Sequence, residues 1–493
     1  MTAETGRITT DVPARLDRLP WARFHWMVIV GLGTVWILDG LEVTIVGAMS
    51  SALKPSSTGL GMSGWDVGFA GSCYVAGACV GALFFGQLTD RFGRKRLFML
   101  TLGVYTVATV LTAFSLNPLW YFAARFVTGG GIGGEYAAIN SAIDELIPAR
   151  FRGRVDLAIN GSFWVGAALG SLLTIPLLDP TVVPASWGWR CAFAIGAILA
   201  IGILLVRRNV PESPRWLFIH GRDEEAEEIV RNVEGTVAHE TGHELDAVDD
   251  TITIRQRRTI GFVLIAKTVF TLYPKRTVLC FALFVGQAFL YNAFSFTFGD
   301  TLSTFLGVKQ VGWYLAVFAG GNFLGALLLG PLFDRIGRVF MITATYVTSG
   351  VLLAVAGFFL GGFSAVGLTA AGSVIFFIAS AGASSAYLTA SEVFPLETRA
   401  LCIAFFYAIG TAAGGISGPL FFGWLIDRAS GSHDISQIAM GYYVGAALMV
   451  LGGMAEAVLG VRAEGKALES IAAPLTAEDD GGTDVPNAAP AHA

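Results

Sequence analysis

Residues 86–94 read Gly-Gln-Leu-Thr-Asp-Arg-Phe-Gly-Arg, and residues 330–338 read Gly-Pro-Leu-Phe-Asp-Arg-Ile-Gly-Arg. Both copies follow the pattern G-x-L-x-D-R-x-G-R and lie between two long apolar stretches. Asp90 and Asp334 are 244 residues apart, about half of the chain. A second motif, E-x6-R, begins at Glu145 and again at Glu392, 247 residues later. Two motifs repeated at nearly one offset indicate an internal duplication, which is typical of membrane transporters built from two halves.

The composition is that of a membrane protein. Of the 493 residues, 54% are hydrophobic and 14% are charged, whereas a soluble globular protein has about 25% charged residues. Apolar runs long enough to cross about 30 Å of hydrocarbon recur along the chain. The five cysteines all lie in apolar segments without metal-ligand spacing, and we interpret them as buried thiols. We therefore predict an all-α membrane protein without cofactor or metal.

Twelve membrane-spanning helices are predicted, arranged as two pseudo-symmetric bundles of six. Their approximate limits are 25–48, 64–88, 97–116, 119–141, 155–178, 188–208, 277–299, 311–333, 339–360, 364–391, 400–426 and 437–461. The predicted domains are an arm (1–24), a first bundle (25–208), a linker with short helices (209–276), a second bundle (277–461) and a disordered tail (462–493).

Lys and Arg residues are concentrated in the connections that follow even-numbered spans. Basic connections face the cytoplasm in membrane proteins. We therefore predict a multi-pass protein of the cytoplasmic (inner) membrane with both termini, the linker and the tail on the cytoplasmic side.

Two short motifs resemble sites of other protein classes. His239-Glu240-Thr241-Gly242-His243 reads H-E-x-x-H, but Gly242 interrupts it in a polar linker, so a solvated loop is predicted instead of a zinc protease. Residues 129–134 contain G-x-G-x-x-G inside a predicted span, where glycines permit close helix packing. Neither motif predicts an enzyme.

The repeated motifs, together with Pro-Glu-Ser-Pro-Arg-Trp-Leu at 211–217, resemble those of the major facilitator superfamily and its sugar-porter-like branch. The resemblance covers about Phe24 to Arg462. It implies two six-helix halves around a central cavity that opens alternately to either side of the membrane.

The repeated motifs place carboxylates and arginines at predicted helix ends on the cytoplasmic face. Such charges can pair in one conformation and separate in the other. The alternative is that they only set the topology, a function in which an Asp would have no part. We predict a cytoplasmic gate formed by Asp90, Arg91, Arg94, Glu145 and Arg152 in the first half and Asp334, Arg335, Arg338, Glu392 and Arg399 in the second.

Charged residues also lie deep inside two predicted spans: Asp39 and Glu42 in span 1, and Arg125 and Glu135 in span 4. A charge there costs at least about 2.5–3.5 kcal/mol, so each one requires a partner or a function. Asp39 and Glu42 are three residues apart and share one helix face. We predict that these four residues handle the coupling proton, with Glu135 second to Glu42.

Glu42 and Arg125 each lie about 9 Å below the outer end of their span, counting 1.5 Å per residue. An ionised Glu42 could neutralise Arg125, and a proton on Glu42 would free Arg125 for a substrate. In sugar-porter-like proton symporters an acid of span 1 pairs with the Arg that matches Arg125, so the resemblance supports this scheme. The alternative is a permanent ion pair that joins spans 1 and 4.

Five further residues are predicted to contact the substrate. Gln287 and Asn292 have the Q-x4-N spacing of the binding pair in sugar porters, although such amides also join helices. Tyr387 matches a sugar-stacking Trp of these porters, and Tyr407 is a weaker candidate. Trp164 stands where they commonly have a binding Gln.

The predicted substrate class remains open. The loss of that Gln argues against a plain hexose, whereas Arg125 would suit an organic anion. Residues 39–42, Asp-Gly-Leu-Glu, are also similar to the D-G-[FY]-D of metabolite and organic-acid symporters.

The predicted function is secondary active transport of a small polar metabolite, an organic acid or a sugar or polyol, by proton symport. The alternatives are a facilitative uniporter, a channel and a nutrient sensor with the same fold. The predicted partners are the metabolite, protons and the lipid bilayer. No nucleic acid is expected, and the protein is predicted to be a monomer.

Overall fold

The computed structural model describes residues 4–53, 57, 59–62, 64–207, 212–242, 245–246, 248, 251–257, 267–308, 310–395, 398–430, 434–466 and 468–472. The side chains of some residues in these ranges lie outside the description. Three of them, Asp90, Arg91 and Glu145, belong to the predicted cytoplasmic gate.

Twelve helical segments occupy the predicted span positions and are numbered here as spans 1 to 12. Their bounds are Arg23–Ala48, Gly64–Phe92, Arg94–Ala113, Pro118–Leu146, Arg152–Gly161 continued by Phe163–Leu177, Ala185–Arg207, Pro274–Leu306, Val311–Arg335, Arg338–Phe358, Ala365–Glu392, Arg399–Gly410 continued by Thr411–Gly415 and Ile416–Ser430, and Ala439–Leu459. The middle piece of span 11, Thr411–Gly415, is a π-helix.

Eleven described helices are long and apolar enough to cross a membrane, and they correspond to every span except span 4. Span 4 has 29 residues, which is sufficient length. Its sequence contains Arg125, Glu135 and a run of glycines, which together lower its hydropathy. The all-α membrane fold with twelve spans is therefore confirmed.

Shorter elements lie between the spans, in the N-terminal arm and after span 12. The helices are Val12–Asp17, Ser50–Leu53, Ala149–Phe151, Pro214–Ile219, Asp223–Thr241, Lys267–Leu272, Leu360–Gly362, Ile435–Ile438 and Leu468–Ile471. Two strands, β1 (Glu4–Thr10) and β2 (Ile252–Arg257), form an antiparallel pair with Thr9 opposite Thr253. This pair joins the N-terminal arm to the linker and was not predicted.

The linker is more helical than the sequence pattern indicated. Where only short helices were predicted, the linker contains a helix of 19 residues, Asp223–Thr241, and Gly242 ends it with a φ of +67°. His239 and Glu240 therefore lie in the last helical turn, and the prediction of a loop there is wrong. Gly favours helix ends because it adopts positive φ without steric cost.

The two halves pack by equivalent helix pairs. Span 2 packs on span 4 in the first half, and span 8 packs on span 10 in the second. Across the interface, span 5 packs on span 8 and span 2 packs on span 11. The glycines of span 4 permit this packing, since a Cβ at Gly129 would lie 2.0 Å from the Tyr74 carbonyl oxygen. This geometry agrees with the prediction that the glycines of residues 129–134 permit close helix packing.

The repeated motif forms the same turn in both halves. Gly93 and Gly337 precede spans 3 and 9 with φ values of +95° and +115°. L side chains rarely adopt such values, so both turns require glycine. The turns bring Arg94 and Arg338 to the first residue of the following helix, where both are buried.

Candidate functional site

A cavity of about 130 Å³ lies between the two halves. Spans 1, 2, 4 and 5 of the first half and spans 7, 10 and 11 of the second contribute its walls. The described lining residues are Trp36, Asp39, Val43, Tyr74, Val75, Ala78, Tyr136, Asn160, Phe163, Trp164, Gln287, Tyr291, Asn292, Ser295, Phe296, Ser380, Ala383, Ser384, Tyr387, Tyr407 and Thr411.

Aromatic rings form much of the cavity wall. The Trp36 ring stacks on Tyr136 with a centroid distance of 4.6 Å and an interplanar angle of 11°. Tyr407 meets Tyr136 edge-on at 4.8 Å, and Trp164 lies 5.5 Å from Tyr291. Such contacts bury large apolar area and restrict ring orientation. These rings therefore supply a large apolar part of the wall.

Asp39 is the one carboxylate among the described lining residues, and it is completely buried. The Tyr74 hydroxyl donates a hydrogen bond of 2.5 Å to Asp39 Oδ1. The Tyr136 hydroxyl donates to Asp39 Oδ2. The described lining residues include no Lys, Arg or His. An ionised Asp39 is thus stabilised by two neutral hydrogen-bond donors, and the described cavity wall contributes no cation.

Glu42 and Arg125 form an ion pair one layer behind the cavity wall. Arg125 Nη1 donates to Glu42 Oε1, and the Thr109 hydroxyl donates to Glu42 Oε2 at 3.2 Å. Both charged residues are at most 2% exposed. The Arg125 guanidinium carbon also lies 4.4 Å from the centre of the Tyr74 ring. Tyr74 therefore contacts the ion pair through its ring and Asp39 through its hydroxyl.

Neither Glu42 nor Arg125 is among the described residues that line the cavity. The predicted substrate contact of Arg125 is therefore not made in this conformation, because Tyr74 lies between the guanidinium and Asp39. Glu135 is also buried outside the described cavity wall and accepts a hydrogen bond of 3.1 Å from Thr101 of span 3. The four predicted proton-handling residues thus occupy three positions: Asp39 in the cavity wall, the Glu42–Arg125 pair behind it, and Glu135 beside Thr101.

The other five predicted substrate residues all line the cavity: Trp164, Gln287, Asn292, Tyr387 and Tyr407. The Asn292 amide donates to the Ala288 carbonyl oxygen at 2.9 Å, so part of its hydrogen-bonding capacity is used within span 7. Sequence reasoning missed the lining residues Trp36, Tyr74, Tyr136, Asn160 and Tyr291. For Trp36, the three-residue spacing to Asp39 was the available signal.

Three of the second-half gate residues, Asp334, Arg338 and Glu392, form a cluster in which Arg338 and Glu392 are buried. Arg338 donates two hydrogen bonds of 3.0 Å to the Glu392 carboxylate and one of 2.7 Å to Asp334 Oδ1. Asp334 Oδ2 accepts a 2.9 Å hydrogen bond from the backbone N–H of Arg154, at the start of span 5 in the other half. A carboxylate at a helix N-terminus is stabilised by the helix dipole. The halves are therefore joined at this end.

The remaining gate residues differ in their surroundings. Arg335 is exposed at the surface, and its role in the gate stays a prediction. Arg94, Arg152 and Arg399 are buried. The Arg94 backbone N–H donates to Glu212 of the linker at 3.0 Å. The side chains of Asp90, Arg91 and Glu145 lie outside the description, so their predicted contacts stay predictions.

The halves also approach closely on both sides of the cavity. A Cβ at Gly153 would lie 2.4 Å from Asp334 Oδ1, on the predicted cytoplasmic side. A Cβ at Gly312 would lie 2.8 Å from the Ser171 carbonyl oxygen, near the opposite ends of spans 5 and 8. The cavity therefore lies between two zones of contact.

The N-terminal arm binds the linker and the first half together. Arg15 donates to both Glu234 carboxylate oxygens, at 3.0 and 2.6 Å, and to Glu227 at 2.9 Å. Asp17 lies 3.5 Å from Arg152 and 3.3 Å from Arg215. Burial alone would raise the pKa of Glu234, but hydrogen bonds from Arg15 and Arg18 outweigh it and lower that pKa. The Glu234 hydrogen bond also raises the pKa of Arg15.

The described residues contain no group of three or more His, Cys, Asp or Glu side chains placed to hold a metal ion. The H-E-x-x-H motif supplies His239 and Glu240 from the end of a linker helix, while His243 lies outside the description. The described cysteines are free thiols.

Known proteins resemble this chain over nearly its full length. The niacin transporter NiaP of Acinetobacter baylyi is 29% identical over 471 residues, which cover 94% of this chain and 99% of that protein. The 4-hydroxybenzoate transporter PcaK of the same organism is 25% identical over 429 residues, covering 85% and 88% of the two chains.

The solved structures agree on the fold. The major facilitator proton:xylose symporter XylE bound to 6-bromo-6-deoxy-D-glucose superimposes with a TM-score of 0.73 at 18% identity, covering 91% of this chain and 98% of that one. Residues 37–473 match the family described as "Sugar (and other) transporter". With its two bundles and central cavity, the chain belongs to this transporter family within the major facilitator superfamily.

Proposed function

We propose that this protein imports a small monocyclic organic acid together with a proton, by alternating access across the cytoplasmic membrane. The observation that carries the proposal is the position of Asp39. It is a buried carboxylate in a cavity whose described lining includes no cationic side chain.

A substrate anion and an ionised Asp39 would repel each other in this cavity. Repulsion is strong there because buried sites have a low effective dielectric constant. A proton on Asp39 removes that repulsion, so anion and proton are favoured together. Coupling follows because the anion binds the protonated carrier more tightly than the ionised one.

A proton on Asp39 would also change the hydrogen bonds that Asp39 makes with Tyr74 and Tyr136. An ionised carboxylate only accepts hydrogen bonds, whereas a protonated one also donates. When Asp39 is ionised, Tyr74 and Tyr136 both donate to it. Once Asp39 carries a proton, the carboxyl O–H or a displaced tyrosine hydroxyl can donate to the substrate carboxylate. Proton binding thus supplies the cavity with a donor that an anion needs.

The Glu42–Arg125 pair is proposed as the second part of the proton path. Tyr74 contacts Arg125 with its ring and Asp39 with its hydroxyl. A change at Asp39 therefore reaches the ion pair through one side chain. Glu135 lies outside the described cavity wall. We therefore keep it second to Glu42 as a candidate for handling the proton.

The size and walls of the cavity favour a single planar ring. An apolar cavity of about 150 Å³ can hold benzene, and the present cavity has about 130 Å³. The names of two relatives, transporters of niacin and 4-hydroxybenzoate, support a monocyclic acid. A sugar or polyol would need partners for many hydroxyls, whereas aromatic rings form much of this wall.

The proposed transport cycle uses the two bundles, 25–208 and 277–461, as the moving parts. The contact between Asp334 and the Arg154 backbone would close the cytoplasmic side and break when the cavity opens inward. The proposal keeps the predicted orientation with cytoplasmic termini and a monomeric carrier.

Two measurements test the proposal. A thermal-shift screen of purified protein against 4-hydroxybenzoate, nicotinate, xylose and myo-inositol should show stabilisation by the acids, since a ligand stabilises the state that binds it. In proteoliposomes, an inward proton gradient should drive accumulation of the stabilising acid. Transport of that acid at equal rates with and without the gradient would instead support a uniporter.

A further inference from the structure

Trp36 lies in the cavity wall about one helical turn from Asp39 and is 6% exposed. Its ring stacks on Tyr136 of span 4 and meets Tyr387 of span 10 edge-on at 5.7 Å. Contacts from both halves therefore hold the indole in one orientation. The Tyr387 ring in turn packs against Phe284, with ring centroids 5.0 Å apart.

The indole N–H of Trp36 is buried and has no hydrogen-bond acceptor within the described part of the chain. An indole nitrogen can only donate, and buried indoles usually have a partner. A buried donor without an acceptor is destabilising for the protein. An acceptor atom supplied by a ligand would remove that cost.

The cavity wall contains several neutral donors, among them the side chains of Gln287, Ser295 and Ser384, and some other donors are already engaged. The hydroxyls of Tyr74 and Tyr136 donate to Asp39, and the Asn292 amide donates to a backbone carbonyl. Since the described lining residues include no cation, neutral donors must bind an anionic group. The Trp36 N–H meets this requirement without competition from a described acceptor.

We propose that Trp36 is the residue that selects for a carboxylate: its indole N–H donates a hydrogen bond to a carboxylate oxygen of the bound substrate. This inference rests on the proposed function and adds the group that recognises the anion. Asp39 carries the proton, and Trp36 provides a donor in either protonation state of Asp39.

The test compares Trp36→Phe with Trp164→Phe in the full-length protein. Both substitutions remove an indole from the cavity wall and keep an aromatic ring. Dissociation constants are measured for 4-hydroxybenzoate and for 4-hydroxybenzamide, which has the same ring and hydroxyl but no charge. A hydrogen bond to a charged group is roughly twice as strong as one between neutral groups.

We expect Trp36→Phe to weaken binding of the acid by about tenfold or more and to weaken binding of the amide clearly less. Trp164→Phe should change both dissociation constants by similar factors. Equal weakening of acid and amide by Trp36→Phe would mean that Trp36 only shapes the cavity, and the proposal would be wrong.

A second measurement does not require the Trp36→Phe chain to fold. In Trp164→Phe protein labelled with ¹⁵N at the indole nitrogens, Trp36 is the tryptophan left in the described cavity wall. Addition of 4-hydroxybenzoate should move one indole signal downfield, as a new hydrogen bond does. Unmoved indole signals at saturating acid would overturn the assignment.

The results of these experiments distinguish a failure of the proposed role of Trp36 from a failure of the proposed function. If the unmodified protein neither binds nor transports any aromatic acid, the proposed function fails. If it transports 4-hydroxybenzoate while Trp36→Phe treats acid and amide alike, only the role of Trp36 fails.

Discussion

The Tyr74 hydroxyl donates a 2.5 Å hydrogen bond to Asp39 in the wall of the cavity. Through the same side chain, the Tyr74 ring covers the guanidinium of Arg125 at 4.4 Å. One residue of span 2 therefore links the carboxylate that faces the cavity to the buried ion pair behind it. Asp39 and the Glu42–Arg125 pair are thus connected by direct contacts with Tyr74.

Tyr74→Phe should separate proton coupling from substrate exchange. The ring stays over Arg125, but the ionised form of Asp39 loses a donor worth about 1.5–3 kcal/mol. Proton release must regenerate that form, so gradient-driven accumulation should fall about tenfold or more. Counterflow, in which Asp39 can stay protonated, should change much less. Tyr442→Phe, a buried tyrosine of span 12, is the matched control.

Glu42→Gln should abolish proton-driven accumulation of the acid and retain exchange. The substitution also leaves Arg125 buried without its anionic partner, which costs about 3–5 kcal/mol of stability. The double variant Glu42→Gln with Arg125→Gln removes that cost. If accumulation returned together with stability in the double variant, the pair would be purely structural and would have no part in coupling.

Asp334→Asn should open the cytoplasmic side. It weakens the pairing with Arg338 and the hydrogen bond from the Arg154 N–H, and a bond to a charged group contributes about 1.5–3 kcal/mol. Ser384 lines the cavity. A single cysteine at this position, in a variant without the five native cysteines, measures access to the cavity from the cytoplasmic side, which faces outward in inside-out vesicles. Labelling by an impermeant maleimide should rise severalfold.

Arg335→Gln is the control for that experiment, because Arg335 is exposed beside Asp334. Unchanged labelling in Asp334→Asn would show that this contact does not hold the halves closed. An equal increase in both variants would assign the effect to net charge.

The arm should detach at acidic pH. The pKa of Glu234 is lowered from its usual 4.5 because hydrogen bonds from Arg15 and Arg18 outweigh burial. A depressed pKa contributes stability above the unfolded value, and this stability is lost as the pH falls through the folded value. Glu234→Gln should therefore lower the melting temperature at pH 7, where the partly exposed pair contributes on the order of 1 kcal/mol.

Below the folded pKa of Glu234, Glu234→Gln and the unmodified chain should melt alike. A difference that persisted there would show that Glu234 stabilises the arm through something other than its charge. Glu224→Gln, an exposed residue in the first turn of the same helix, serves as the control.

The spans and the paired motifs could be predicted because hydrocarbon thickness and charge asymmetry leave direct traces in a sequence. Depth counting placed Glu42 level with Arg125, and the structure has them in contact. We also predicted that Arg125, once freed from Glu42, contacts the substrate, whereas in the structure Tyr74 separates it from Asp39. Depth along a helix is readable from sequence, but the direction in which a side chain points is less so.

Only part of the aromatic wall could be predicted: Trp164, Tyr387 and Tyr407 were, and they line the cavity. Tyr74 and Tyr136 resemble the many aromatic residues that only pack between spans, and no spacing rule distinguishes them. The bond between Asp334 and Arg154 uses a backbone N–H, which every residue except proline carries. The pairing of β1 with β2 joins segments nearly half the chain apart, and neither has an apolar pattern that would indicate a strand.

The central claim is that Asp39 takes up the proton that accompanies the acid. In lightly buffered proteoliposomes, with protein-free liposomes as the control for passive entry, external pH is recorded as 4-hydroxybenzoate is added. We expect alkalinisation with the unmodified protein, and none with Asp39→Asn protein that still catalyses counterflow. Alkalinisation of equal size with Asp39→Asn would show that Asp39 does not take up the proton.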